Sequence, residues 1–114
     1  MDVFAKLSGE LIGLLGTRET NPPDTLPTIK ISGVYIASKA RGRGIGKKLM
    51  LHLLKEVVRN PRWKKVKIKV FPTQEIAINL YKSLGFEVIE KVTEDFPSGI
   101  KRETFVMEKS LINP

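Results

Sequence analysis

A chain of 114 residues that is 41% hydrophobic can bury one core but not two, so a single domain over residues 1–114 is expected. Its formal charge of +8 suits a polyanionic cofactor, a nucleic acid or an acidic partner alike. The absence of cysteine excludes disulfides and thiol catalysis, and no apolar run approaches the ~20 residues of a membrane span.

The start, Met1-Asp2-Val3, lacks a basic region and Glu10 interrupts the apolar run after it, so no signal peptide and a cytoplasmic location are expected. Val3–Leu7 and Glu10–Thr17, with Ser8-Gly9 between them, read as a β-hairpin. Glu19–Pro27, with three prolines, reads as a loop. Thr28–Ile36 carries the β-branched and aromatic content of a strand. Ile45, Leu49, Leu53 and Val57 recur every four residues, which predicts a helix over Ile45–Arg59. After the turn Asn60-Pro61-Arg62, Val66, Ile68 and Val70 alternate with lysines in a half-buried strand, Lys65–Phe71. In a helix over Gln74–Leu84, Ile76, Ala77, Leu80, Tyr81 and Leu84 form one apolar face, and Gly85 is placed to stop it. Strand Phe86–Lys91, a loop holding Asp95, Pro97 and Gly99, and strand Thr104–Lys109 complete the chain. The order β-β-β-α-β-α-β-β implies a central parallel β-α-β unit with a right-handed crossover, flanked by antiparallel hairpins.

The segment Arg41-Gly42-Arg43-Gly44-Ile45-Gly46 joins the third strand to the first helix. A turn through glycines into a helix N-terminus offers several backbone N–H groups without intrahelical partners, at the positive end of the helix dipole. Glycines without Cβ let a pyrophosphate approach, and Arg41 and Arg43 add positive charge. The dinucleotide fingerprint fails, because its third glycine would fall at Lys47, and the P-loop pattern fails because Arg41 and Lys48 hold its required positions. What matches is R-x-x-G-x-G, as Arg41, Gly44 and Gly46. Further on, Ala77, Leu80, Tyr81, Gly85 and Phe86 spell A-x-x-L-Y-x-x-x-G-F.

These two motifs, in this order, resemble the Gcn5-related N-acetyltransferase (GNAT) family over nearly the whole chain. The resemblance implies an α/β fold with a mixed, mostly antiparallel twisted sheet around a central parallel β-α-β unit. It also implies an acetyl-CoA-dependent N-acetyltransferase acting on a primary amine of a small molecule or protein, with no metal. The front departs from the family: the usual first strand and one or two helices would precede Met1. That leaves an open site, a site completed by another subunit, or a truncated product, and it favours a homodimer through uncovered apolar surface. In the family the strands before the glycines and before the second helix splay apart around the pantetheine arm. The backbone of Val34 and Ile36 would bind that arm, and Arg41, Gly42, Arg43, Gly44, Ile45 and Gly46 would hold the pyrophosphate.

Tyr81 stands where many relatives place the acid that protonates the departing thiolate. The same residue has a structural reading, as a partly buried tyrosine on an apolar helix face. Gln74 stands where the family often has asparagine near the cofactor, but reads more as a helix-start contact than as a cofactor residue. His52, Lys47 and Lys48 read as solvated helix residues, and Lys65, Lys67 and Lys69 as the wet face of a sheet. No carboxylate occupies the strand before the glycines, where relatives often place a base; Glu10, Glu94 and Asp95 are the candidates that remain. Two alternatives stand beside the enzyme: an acyl-CoA-binding domain without catalysis, and a basic nucleic-acid-binding module, for which Trp63 amid Arg62, Lys64 and Lys65 is the best local candidate.

Overall fold

The computed structural model describes residues 2–20 and 26–112. The strands are β1 (Asp2–Leu7), β2 (Glu10–Glu19), β3 (Thr28–Ile36), β4 (Lys65–Val70), β5 (Glu87–Asp95) and β6 (Lys101–Ser110). Helix α1 (Ile45–Val57) lies between β3 and β4, and α2 (Glu75–Ser83) between β4 and β5. The strands form one sheet in the order β1-β2-β3-β4-β6-β5. Only β3 and β4 are parallel; every other neighbouring pair is antiparallel. This is the mixed sheet with a central parallel β-α-β unit that the sequence implies.

Local chemistry explains the boundaries. Ser8 and Gly9, at φ 52° and 79°, supply the two left-handed positions of a type I′ hairpin turn. Helix α1 ends at Val57 rather than Arg59, because Arg59 and Asn60 donate to Glu56 and Val57 in a tightened turn before Pro61. Strands β2, β5 and β6 run longer than their apolar patterns. Pairs such as Glu19↔Ile29 and Thr93↔Glu103 extend the ladders through polar residues that carry no periodic signal. Of the expected loop Glu19–Pro27, Glu19 belongs to β2, and residues 21–25 lie outside the described residues.

Both crossovers, β3-α1-β4 and β4-α2-β5, step in the same direction across the sheet. A right-handed connection therefore puts both helices on one face. Accordingly Leu49, Leu53 and Val57 of α1 and Ile78 and Tyr81 of α2 share one core with Val66, Ile68, Val70 and Met107. The shortest dimension, 24 Å, matches a sheet with one helical layer. One expected core residue is misplaced: Ile76 is 90% exposed, and Ile78 is buried instead. The apolar run Ile76-Ala77-Ile78 permits either choice, and packing against the sheet selects the side centred on Ile78 and Tyr81.

Candidate active site

β3 and β4 pair only from Thr28↔Lys65 to Ile31↔Ile68, and beyond that point β3 follows β2 while β4 follows β6. The cause lies in β3. Gly16 pairs with Gly33 and Thr17 with Ile31, which leaves Ser32 as an unpaired bulge residue. Gly16 makes room for it, since a Cβ there would sit 3.0 Å from the Ser32 hydroxyl oxygen. The strands part at the bulge around a cleft of about 150 Å³, lined by Ser32, Gly33, Val34, Ile68, Val70, Gln74 and Tyr81 among others.

The N–H of Ala37 donates to the Ile12 carbonyl at 2.9 Å. Backbone groups alternate in direction along a strand, so Tyr35 faces β2 as Ala37 does, and Val34 and Ile36 face the cleft. Consistently, the Ile36 carbonyl accepts from Arg41 Nε, at 3.4 Å, and not from β2. The structure thus places two of the expected cofactor contacts on the edge of the cleft.

At the open end, the chain passes from β3 through a 3-10 turn, Ser38–Ala40, that the sequence pattern did not announce. Gly42 and Gly44 then take φ of 80° and 73°, a conformation that favours glycine, and Gly44 is the N-cap of α1. The first helical hydrogen bond runs from Lys48 N–H to Gly44. Among the described residues, the N–H groups of Gly42 through Lys47 have no acceptor, and no side chain caps the helix. Nothing lies within 4 Å of a Cβ added at Gly42, Gly44 or Gly46. Ile45 anchors this end by packing on Gly13, where a Cβ would approach it to 2.9 Å. A row of unpaired donors at a helix N-terminus, open above and flanked by the exposed Arg41 and Arg43, fits a pyrophosphate.

Tyr81 is held by the end of its own helix. Phe86 N–H donates to the Tyr81 carbonyl and Gly85 N–H to that of Lys82, both at 3.0 Å, the two bonds of a Schellman motif. Gly85, at φ 94°, permits it, and the Phe86 ring packs on Tyr81 with centroids 6.0 Å apart. Tyr81 is 7% exposed, and burial pushes its phenol above the ordinary pKa. Its hydroxyl has no hydrogen-bond partner among the described residues. The residue therefore lines the cleft as a neutral donor without a protein acceptor.

Gln74 makes the helix-start contact, accepting from Phe71 N–H at 2.9 Å, while also lining the cleft. The three candidate bases are separated. Glu10 pairs with Lys39 beside the 3-10 turn, and Asp95 is an exposed partner of Lys101 at 3.7 Å. Glu94 bonds Lys69 at 2.5 Å in a hollow that shares Lys69, Val70 and Gln74 with the cleft. His52 is exposed on α1. Trp63 packs against the core with Arg62 stacked 4.7 Å from its ring. Among the described residues no helix is long and apolar enough to cross a membrane, and no three His, Cys, Asp or Glu side chains cluster as metal ligands.

The sequence model of the Acetyltransferase (GNAT) family matches residues 2–86, and the chain belongs to that family of acetyltransferases. Curated proteins yield no match. Among solved structures, the chain is similar to the ribosomal-protein alanine N-acetyltransferase of Escherichia coli. That match has a TM-score of 0.82 and 16% identity, and covers 100% of this chain and 70% of the other. For the ribosomal-protein-alanine N-acetyltransferase of Brucella melitensis the values are 0.81, 25%, 96% and 67%. For Arabidopsis thaliana Naa50, solved with the bisubstrate analogue CoA-Ac-MVNAL, they are 0.81, 24%, 96% and 72%.

Proposed function

We propose that this chain transfers the acetyl group of acetyl-CoA to a primary amine by direct attack. The observation that carries this reading is the cleft opened by the Ser32 bulge. Among the described residues it has strand backbone turned away from β2 on one wall, unpaired helix N–H groups at its mouth and Tyr81 in its lining. Acetyl-CoA brings a thioester whose carbonyl is open to a neutral amine and whose thiolate needs a proton on leaving. The N–H groups of Gly42 to Gly46, with Arg41 and Arg43, hold the pyrophosphate, and the backbone of Val34 and Ile36 takes the pantetheine arm as a missing strand. Tyr81 keeps its proton at neutral pH and donates it to the thiolate. Glu94 is the carboxylate at the rim that can accept the proton of the amine, directly or through water.

Membership of a family that uses acetyl-CoA, and the likeness to Naa50 bound to a CoA-containing analogue, support this donor. Calorimetric titration with CoA, followed by thiol release from acetyl-CoA with a panel of amines, tests the reading. Micromolar CoA binding and amine-dependent release are expected. A folded protein that binds no CoA at millimolar concentration refutes it.

A further inference from the structure

Among the described residues both helices pack on one face of the sheet, and on the opposite face the charges do not balance beside the cleft. Arg18 stands opposite Lys30 and Lys30 opposite Lys67, with Lys65 and Lys69 on the same side of β4. Glu108 lies 3.4 Å from Lys65 and 3.6 Å from Lys67, and Glu94 lies 2.5 Å from Lys69. Arg18 and Lys30 have no carboxylate partner among the described residues. Burial, then the charges of Lys69 and Arg18, hold Lys30 below its ordinary pKa, with Glu94 opposing in part. Like charges gathered in a partly desolvated place favour the arrival of an anion.

Two hollows flank the cleft here. One, of about 330 Å³ and lined by Leu14, Gly16, Arg18 and Tyr35, shares Ser32, Gly33 and Val34 with it. The other, of about 110 Å³, holds the Lys69–Glu94 pair and is lined by Thr104. Thr104 is 2% exposed, and its hydroxyl has no hydrogen-bond partner among the described residues. Lys30 lies two residues, about 7 Å, before the bulge where the strands part.

We infer that this face is the acceptor side of the cleft, and that its acceptor is a primary amine carrying a carboxylate within about two residues' length of the nitrogen. Arg18 and Lys30 take the carboxylate, while Glu94 draws the amine toward the point where the strands part. This rests on the acetyltransferase reading above and adds the substrate class.

The test uses the full chain saturated with CoA. Matched short peptides with a free N-terminus and neutral, basic or acidic second and third residues are titrated by calorimetry, beside free glutamate and glycinamide. The same amines are then assayed for acetyl transfer. The acidic amines are expected to bind, and to turn over through KM, at least about tenfold better than the neutral ones, with the preference shrinking as salt rises. In an Arg18→Gln, Lys30→Gln double variant the acidic-to-neutral ratio falls toward one while CoA affinity holds, and Lys30→Arg retains the ratio. Whether glutamate or the acidic peptide gains more identifies the source of the carboxylate. Equal binding of all charges, a preference for basic amines, a ratio that survives the double variant, or displacement of the acidic peptide by a single-stranded oligonucleotide overturns the inference. Loss of CoA binding in the wild-type protein would instead refute the acetyltransferase reading. If no amine turns over, the calorimetric ratio alone decides.

Discussion

Gly46 separates a phosphate cradle from an ordinary glycine-rich turn, because the two predict opposite signs for one substitution. The residue lies within α1, and a Cβ built there meets nothing within 4 Å. In the ligand-free protein Gly46→Ala therefore relieves only the backbone entropy that glycine loses in a helix. It should stabilise the fold by about 0.5 kcal/mol, raising Tm by roughly 2–4 °C. The new methyl group, however, tilts toward the helix N-terminus, over the unpaired N–H groups of Ile45 to Lys47. A pyrophosphate seated there must move away from at least one charge-assisted hydrogen bond, a loss of about 1.5 kcal/mol or a little over tenfold in Kd. A melt without ligand and a calorimetric titration with CoA on one preparation measure both effects. Pantetheine, which carries the arm without the phosphates, should bind wild type and variant alike. A stabilised variant with unchanged CoA affinity would show that the glycines serve the turn alone.

Gly44→Val forces a β-branched residue to φ 73°. It should cost roughly 1–2 kcal/mol of stability and about 2 kcal/mol or more of CoA affinity, read by the same two measurements. Tyr81→Phe keeps the packing against Phe86 and removes the proton donor. The acetyl-transfer rate should fall by roughly 10- to 1000-fold with Tm and CoA affinity nearly constant, whereas a structural tyrosine would lose stability and keep its turnover. Because burial raises the Tyr81 pKa, its stabilising contribution is complete below the ordinary tyrosine value of about 10. It fades as pH climbs through the higher folded value, so the alkaline loss of stability should be smaller in Tyr81→Phe. Leu53→Ala, at a fully buried position where α1 meets the sheet, should cost about 2–5 kcal/mol by denaturant unfolding. Among the described residues β1 is an edge strand with Phe4 and Leu7 exposed, which should support a homodimer at micromolar concentration; a monomeric mass by light scattering would count against it.

What the sequence made legible follows from how each feature is encoded. Side-chain periodicity and turn chemistry placed β3, α1 and α2 within a residue or two, because apolar spacing, Gly44 and Gly85 are local signals. The Schellman motif that fixes Tyr81 is written in Gly85 and Phe86 for the same reason. The Ser32 bulge was not legible. It depends on which residues of β2 and β3 face each other, and Gly16 and Gly33, glycines inside strand patterns, were the only hints of an irregularity there. Gly13, which seats Ile45, carries the same kind of signal. The Lys69–Glu94 pair joins residues 25 apart through the β4-β6-β5 order, which composition and spacing do not encode. Alternating lysines in β4 read as a solvated face, and the cluster with Arg18 and Lys30 exists only once β2, β3 and β4 are laid side by side.

If one extra residue opens the cleft, removing it should close the cleft without unmaking the sheet. Deleting Ser32 brings Ile31 and Gly33 together as successive residues opposite Thr17 and Gly16, so every β2–β3 pair survives in regular register. The faces survive as well. Ile31 keeps its place toward the helices, and Gly33 and Tyr35 stay on the side opposite them, so no core residue is expelled. What changes is the course of β3. Without the bulge it loses the local bend and extra twist, and Gly33 to Ile36 can continue alongside Lys69 and Val70 instead of leaving them. The groups of Val34 and Ile36 that would hold the pantetheine arm then turn toward β4. The deletion should melt within a few degrees of wild type, yet bind CoA at least tenfold more weakly and lose acetyl transfer. Pantetheine should be weakened as much as CoA, the reverse of the Gly46→Ala pattern, because here the arm's site is lost and the phosphate site kept. Full CoA affinity in a folded deletion variant would place the opening of the cleft elsewhere than in the bulge.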